Sequence, residues 1–148
     1  MAKCKNQKTA SALSNGNGGK GCVVAGRCRD PWRTRGIDQL PGWLVEGIRE
    51  GACSCSGVRD VLVFGSYARG EARAGSDIDI CVLYDGAPGD SRVVSGNVRT
   101  AIHPFLRRAR MECDVIAYPV SGDAGAAGWD QDFHDRVMRE GVSLCSNR

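Results

Sequence analysis

Beyond residue 20 the chain has no lysine; all four lysines lie in the first twenty residues, and every later basic residue is arginine. No apolar run approaches the length of about 18 residues that a membrane-spanning helix needs, so none is expected. The N-terminal lysines are not followed by an apolar segment, since Val23-Val24-Ala25 is too short, so no secretory leader is expected and the compartment read from the sequence is the cytoplasm. There are eight cysteines but no Cys-x-x-Cys pair. The spacings of Cys4, Cys22, Cys28, Cys53 and Cys55 therefore give tetrahedral zinc little support. Cys81, Cys113 and Cys145 fall in predicted strands, where a thiol behaves as a small apolar group. In a reducing cytosol all eight are expected as thiols. The two histidines, His103 and His134, have no nucleophile or metal constellation around them and are expected to be structural or solvated.

A length of 148 residues allows one domain with a modest core. The net charge of +3 hides an asymmetry. Residues 1–35 hold eight Lys or Arg and one acid, whereas the remainder holds twelve basic and sixteen acidic residues. Residues 1–36 show no period of 2 or 3.6 and are dense in glycine, so they read as a basic, disordered or loosely held arm. Such an arm is usually solvated, although basic charge also suits nucleic acid or an acidic partner. The same shift in composition is what an upstream start site would produce. The folded domain is assigned to residues 37–148.

Within it, residues 38–51 read as a helix. Asp38 or Gln39 would cap it, Pro41 would sit in its first turn, and Gly51 would end it. Leu40, Leu44 and Ile48 recur at four-residue spacing, with Trp43 expected in the core. Strands are predicted at 59–64, 78–84 and 112–118, with a short helix at 66–72 and a long one at 91–109 that Pro104 should kink or split. A last helix is predicted at 129–140, carrying Trp129, Phe133 and Val137. Gly141 should stop it, and Val142 to Cys145 would add a short edge strand.

The chemistry concentrates where the first strand, Val61-Leu62-Val63-Phe64, runs into Gly65-Ser66. Glycine there lets the backbone approach a ligand closely. The Gly-Lys-Ser/Thr ending of a Walker loop is absent. The second strand opens with Asp77 and Asp79, two apart and so on one face. Unpaired carboxylates side by side are costly, and a hard divalent cation such as Mg2+ or Mn2+ resolves the cost. Asp114 interrupts an otherwise apolar strand: either its side chain faces out at an edge, or a neighbouring strand brings it beside the first two as a third metal ligand. Glu112 shares its face.

Gly65-Ser66-x-Ala68-Arg69-Gly70 followed by Ser76-Asp77-x-Asp79 resembles the signature of the DNA polymerase β-like nucleotidyltransferase superfamily, nearest its minimal nucleotidyltransferase branch of the antitoxin type. The resemblance covers about residues 37–146. It implies an α+β, two-layer nucleotidyltransferase fold, a short mixed sheet with helices packed on one face. It implies nucleotide-binding by Gly65, Ser66 and Arg69, and metal-binding and catalytic roles for Asp77, Asp79 and Asp114 with two Mg2+ ions. The activity implied is transfer of AMP from ATP to a hydroxyl, with a HEPN-type toxin as protein partner and acceptor. Two other readings stand beside it. One is a non-catalytic module that neutralises a partner by contact. The other is transfer to a small molecule or an RNA end, which the basic arm would serve but which is not favoured. Arg69 also has a plain reading, a salt bridge to a nearby Asp or Glu.

Overall fold

The computed structural model of the chain describes residues 37–121, 128 and 130–145. The expected N-terminal arm, Trp129, and Cys4, Cys22 and Cys28 lie outside the described residues. A single 3-10 turn, Ile37–Gln39, leads into helix α1, Gly42–Cys53. Then follow β1 (Val58–Phe64), the one-turn helix α2 (Gly65–Arg69), β2 (Ile78–Tyr84), the long helix α3 (Ser91–Ala109), β3 (Cys113–Pro119), α4 (Gln131–Glu140) and β4 (Val142–Ser143).

The strands form one sheet in the order β3-β2-β1-β4. β1 and β2 are antiparallel, β1 and β4 are antiparallel, and β2 and β3 are parallel. The parallel pair needs a long crossover, which α3 supplies. This is the expected mixed sheet of an α+β fold. Alternation along the strands sorts side chains to its two faces. Val61, Val63, Ile78, Ile80, Val82, Val115 and Ala117 join Leu44, Ile48, Val98 and Ile102 in the main core under α1 and α3. Leu62, Phe64, Cys81 and Tyr118 face the other way and pack with Val137 of α4. The two long helices thus share one face as expected, and the last helix covers part of the opposite face.

Several local expectations are corrected. Helix α1 starts after Pro41, whose carbonyl accepts from the N–H groups of Leu44 and Val45 at 2.9 and 3.1 Å; neither Asp38 nor Gln39 caps it. It also runs past Gly51 to Cys53. Gly51 is not a terminator but a contact: a Cβ there would lie 3.0 Å from the Ala101 carbonyl oxygen of α3. At Gly47, one turn earlier, a Cβ would lie 2.3 Å from the Phe105 ring. The two glycines form a groove that seats α3 against α1. Trp43 is not in the core; it is 40% exposed, with the Arg108 guanidinium 4.5 Å above its ring. Helix α3 runs unbroken through Pro104. The exposed proline lacks one N–H, and the flanking buried residues Val98, Ile102 and Leu106 hold the helix together.

Cys53 and Cys145 are joined by a disulfide, with Cα atoms 6.1 Å apart and a sequence separation of 92. The expectation that all cysteines are thiols is therefore overturned for this pair. Burial places both residues in the main core, where the end of α1 meets the end of the β4 segment. Asp60 fastens the same segment. Its carboxylate accepts from the Ser143 hydroxyl at 2.7 and 2.8 Å and from the Cys145 N–H at 3.3 Å.

Candidate active site

β1 ends at Phe64, and the chain then turns at Gly65 with φ +68°. That left-handed conformation is cheap only for glycine. The turn lies hard against β2: a Cβ on Gly65 would come within 2.2 Å of Asp79 Oδ2. Gly65 thus serves two needs at once, conformation and clearance. Ser66 follows, half-buried, and its carbonyl accepts from the N–H of Glu71 at 2.8 Å. Helix α2 is a single turn, shorter than the expected 66–72. Any anion cradle here must rest on the N–H groups of the turn and on the Ser66 hydroxyl, with little help from a helix dipole.

The aspartates come from two strands. A tight turn holds the approach to β2, with the Ser76 hydroxyl accepting from the Arg73 N–H at 2.9 Å. Asp77 leaves this turn exposed, and Asp79 is half-buried on β2. In the register, Phe64 lies opposite Asp79, and Asp79 lies opposite Asp114. One row therefore crosses three strands and sets two carboxylates side by side on the α4 face. Burial raises the Asp79 carboxyl above the ordinary carboxylate range, and the charges of Asp114 and then Asp77 push it further the same way. Tyr67, beneath the turn, is also raised, first by burial and then by Asp77.

Among the described residues, no three His, Cys, Asp or Glu side chains converge on one point that could hold a metal ion. The donor chemistry nonetheless fits a divalent cation. Asp79 and Asp114 offer paired hard oxygens, and their mutual repulsion is what a cation would relieve. Asp77 contributes charge to Asp79 from the mouth of the strand.

Arg69 stands in the salt bridge that its plain reading foresaw. Its guanidinium reaches Glu71 at 2.8 Å and Glu140 at 3.3 Å. Glu140 is a residue that sequence reasoning missed. It sits on the last helix, only 18% exposed at its side chain, and its charge also acts on Asp79. No local pattern marks it; only the folding of α4 onto the sheet brings it near. Glu112 is exposed at the start of β3, and its backbone carbonyl accepts from the Ile78 N–H at 3.0 Å. His134 is structural, with its ring edge-on to Tyr118 at 4.9 Å; His103 is exposed on α3. No helix among the described residues is long and apolar enough to cross a membrane.

Comparison with known proteins bears on this arrangement. A family model described as a nucleotidyltransferase domain matches residues 45–118, from α1 through β3. The protein adenylyltransferase MntA of Thermococcus cleftensis is 56% identical over 32 residues, 22% of this chain. That match spans only 32% of the relative's own length. Among solved structures, a toxin–antitoxin complex with AMP-PNP is similar over 68% of each chain, at 18% identity and TM-score 0.45. A mutant MntA–HpeT toxin–antitoxin complex is similar over 69% of each, at 16% identity and TM-score 0.44. A putative nucleotidyltransferase from Sulfolobus solfataricus is similar over 76% of this chain and 84% of its own, at 25% identity and TM-score 0.41. The family match covers half of the chain and contains the Gly65 turn and all three aspartates; the chain belongs to the nucleotidyltransferase domain family.

Proposed function

We propose that this domain transfers AMP from ATP to a hydroxyl on a partner protein. The observation that carries the proposal is the Gly65 turn packed against Asp79, with Asp114 beside it on the adjoining strand. A tight turn with backbone N–H groups beside paired carboxylates is an arrangement suited to nucleotidyl transfer.

In this mechanism the backbone N–H groups of the Gly65-Ser66 turn and the Ser66 hydroxyl hold the β- and γ-phosphates. Asp77, Asp79 and Asp114 would hold divalent metal, magnesium or manganese, which supplies Lewis-acid stabilisation of phosphate charge. Asp114 accepts the proton of the acceptor hydroxyl, whose oxygen bonds to the α-phosphorus as the bond to pyrophosphate breaks. Arg69 exchanges one of its two carboxylate partners for a phosphate oxygen, a fork-shaped donor suiting either. Positioning and electrostatics supply most of the rate. A protein acceptor, and a HEPN-type toxin in particular, is suggested by the short stretch shared with a protein adenylyltransferase and by the motif. ATP as donor points to the cytoplasm.

A second reading, neutralisation of a partner by contact alone, draws on the lack of three converging metal-binding side chains among the described residues. The test is incubation with α-labelled ATP and magnesium, with and without the product of the neighbouring gene, comparing wild type with Asp77→Asn/Asp79→Asn. Label on the neighbour only with intact aspartates supports transfer. A stable complex without label supports contact alone.

A further inference from the structure

A second feature lies on the other side of β3, outside the carboxylate site. Helix α3 carries Arg99, His103, Arg107 and Arg110 at spacings of four, four and three, which places them along one face. With Leu106, Met111 and, where β3 begins, Glu112 and Cys113 they line a cleft of about 330 Å³, so three guanidinium groups face one carboxylate.

The arginines are uncompensated. Among the described residues, Arg99, Arg107 and Arg110 have no ion pair. The helix dipole accounts for Arg107, in the last turn, but it does not reach back to Arg99. Like charges along a helix face repel. Arg110 adds a second cost: it caps the helix at φ +55°, the sole non-glycine residue with positive φ among those described. Glycine is the ordinary occupant of that position. Three unpaired guanidinium groups around a part-apolar cavity suit an anionic group on an apolar stem.

We propose that this cleft docks an acidic side-chain segment of the acceptor protein, on the reading above that the acceptor is a protein. Charge selects this occupant over a nucleic-acid strand. Residues 37–148 hold sixteen acidic residues against twelve arginines; Glu112 lines the cleft on its β3 side, and beyond the cleft lie Asp77 and Asp114 on the strands that carry the acidic row. A polyanion leaving the cleft meets them, whereas a short segment bearing one or two carboxylates does not. Position gives the docking a purpose. Cys113 lines the cleft, and the next residue is Asp114, about 3.3 Å further along the strand. A segment anchored here presents its neighbouring residues to the carboxylate pair around the open edge of β3.

The test is calorimetric titration of the full chain with a capped Ala-Glu-Leu-Glu-Ala peptide, which carries two carboxylates, at low salt and without nucleotide. The comparison is between wild type, Arg99→Gln/Arg107→Gln, and Arg136→Gln on α4 as a control. The expected result is saturable binding that weakens at least tenfold in the double variant and stays unchanged in the control. Thermal melts confirm that the double variant is folded, and Arg99→Lys/Arg107→Lys should recover part of the binding. Equal binding to wild type and double variant would assign it to the basic residues of the first 35 positions and overturn the proposal. Displacement of the peptide from the cleft at lower concentration by a trithymidylate, whose two phosphodiesters match the peptide's charge, would overturn it in favour of nucleic acid. Because nucleotide is absent, a failure of AMP transfer leaves this measurement intact, and a failure here leaves the labelling result intact.

Discussion

Gly65 and Asp79 are fitted to each other: the backbone of the one occupies space that any side chain there would contest with the carboxylate of the other, at 2.2 Å from Cβ to Oδ2. Gly65→Ala must displace Asp79 and must also hold a left-handed residue, which costs about 1–2 kcal/mol for the conformation alone. The expected outcome is a folded protein with a melting temperature a few degrees lower and AMP transfer reduced about a hundredfold or more. Circular dichroism melts alongside the labelling assay check it. Near-normal transfer would show that the turn and Asp79 do not act together.

The raised Asp79 carboxyl has a counterpart in metal dependence. Its burial and its neighbours Asp114 and Asp77 disfavour its charge, and a cation at the site removes that penalty. Magnesium at millimolar concentration is expected to raise the melting temperature of the wild type and to leave Asp79→Asn unchanged. Superimposed wild-type melts with and without metal would mean that the aspartates hold no ion. The asparagine variant should also be no less stable than wild type without metal, since it removes a repulsion.

Cys53 and Cys145 close a loop of 92 residues. In the chain-entropy account, a loop of that size contributes about 4.6 kcal/mol. Reductant should therefore lower the urea midpoint of wild type and have no effect on Cys145→Ser, which should already show the lower value. A midpoint insensitive to reductant in both would remove the disulfide from the account of stability. Asp60 still clamps Ser143 after reduction, so the domain should unfold more readily without losing its fold.

Alkaline pH should destabilise the α4 face. Burial pushes the Tyr118 hydroxyl up to about 12, above an unfolded value of about 10. The fold thus holds the neutral form. The stability tied to it is complete below about pH 10 and is lost as pH rises toward 12, because the unfolded chain releases its proton first. The neighbouring Cys81 thiol, also pushed up to about 12, acts in the same direction from a lower starting pH. Denaturant midpoints measured from pH 8 to 11 should fall, and Tyr118→Phe should flatten the upper part of that fall. An unchanged slope in the variant would show that Tyr118 is not involved.

Legibility from sequence followed the range of the interactions. The β2 boundaries could be read because Ile78, Ile80 and Val82 alternate with Asp77 and Asp79, a pattern contained in one strand. Asp114 could be placed beside them because a polar residue in an apolar strand needs a cause. Gly51 was misread because a glycine that ends a helix and one that admits a neighbouring helix look alike until Ala101 is in view. Trp43 was misread because its partner, Arg108, is a helix away. The Arg69–Glu140 pair and the Cys53–Cys145 bridge join residues that no local period relates. The cleft on α3 was not legible, because Arg99, Arg107 and Arg110 gather around a cavity only once β3 closes beneath the helix.

The parallel pairing of β2 with β3 has a consequence for synthesis on the ribosome. The Gly65 turn, Asp79 and Asp114 all belong to a segment that ends at Pro119, and the three strands carrying them need nothing beyond it to pair with one another. The last residues, with α4, β4 and Cys145, add a fourth strand to the outer side of β1 and then lock it. A nascent chain can thus assemble its acidic row before its closing strand has left the exit tunnel, and Arg69 acquires Glu140 only at the end. Until then the arginine lacks one of its two carboxylate partners, so the order of emergence sets when that guanidinium becomes restrained.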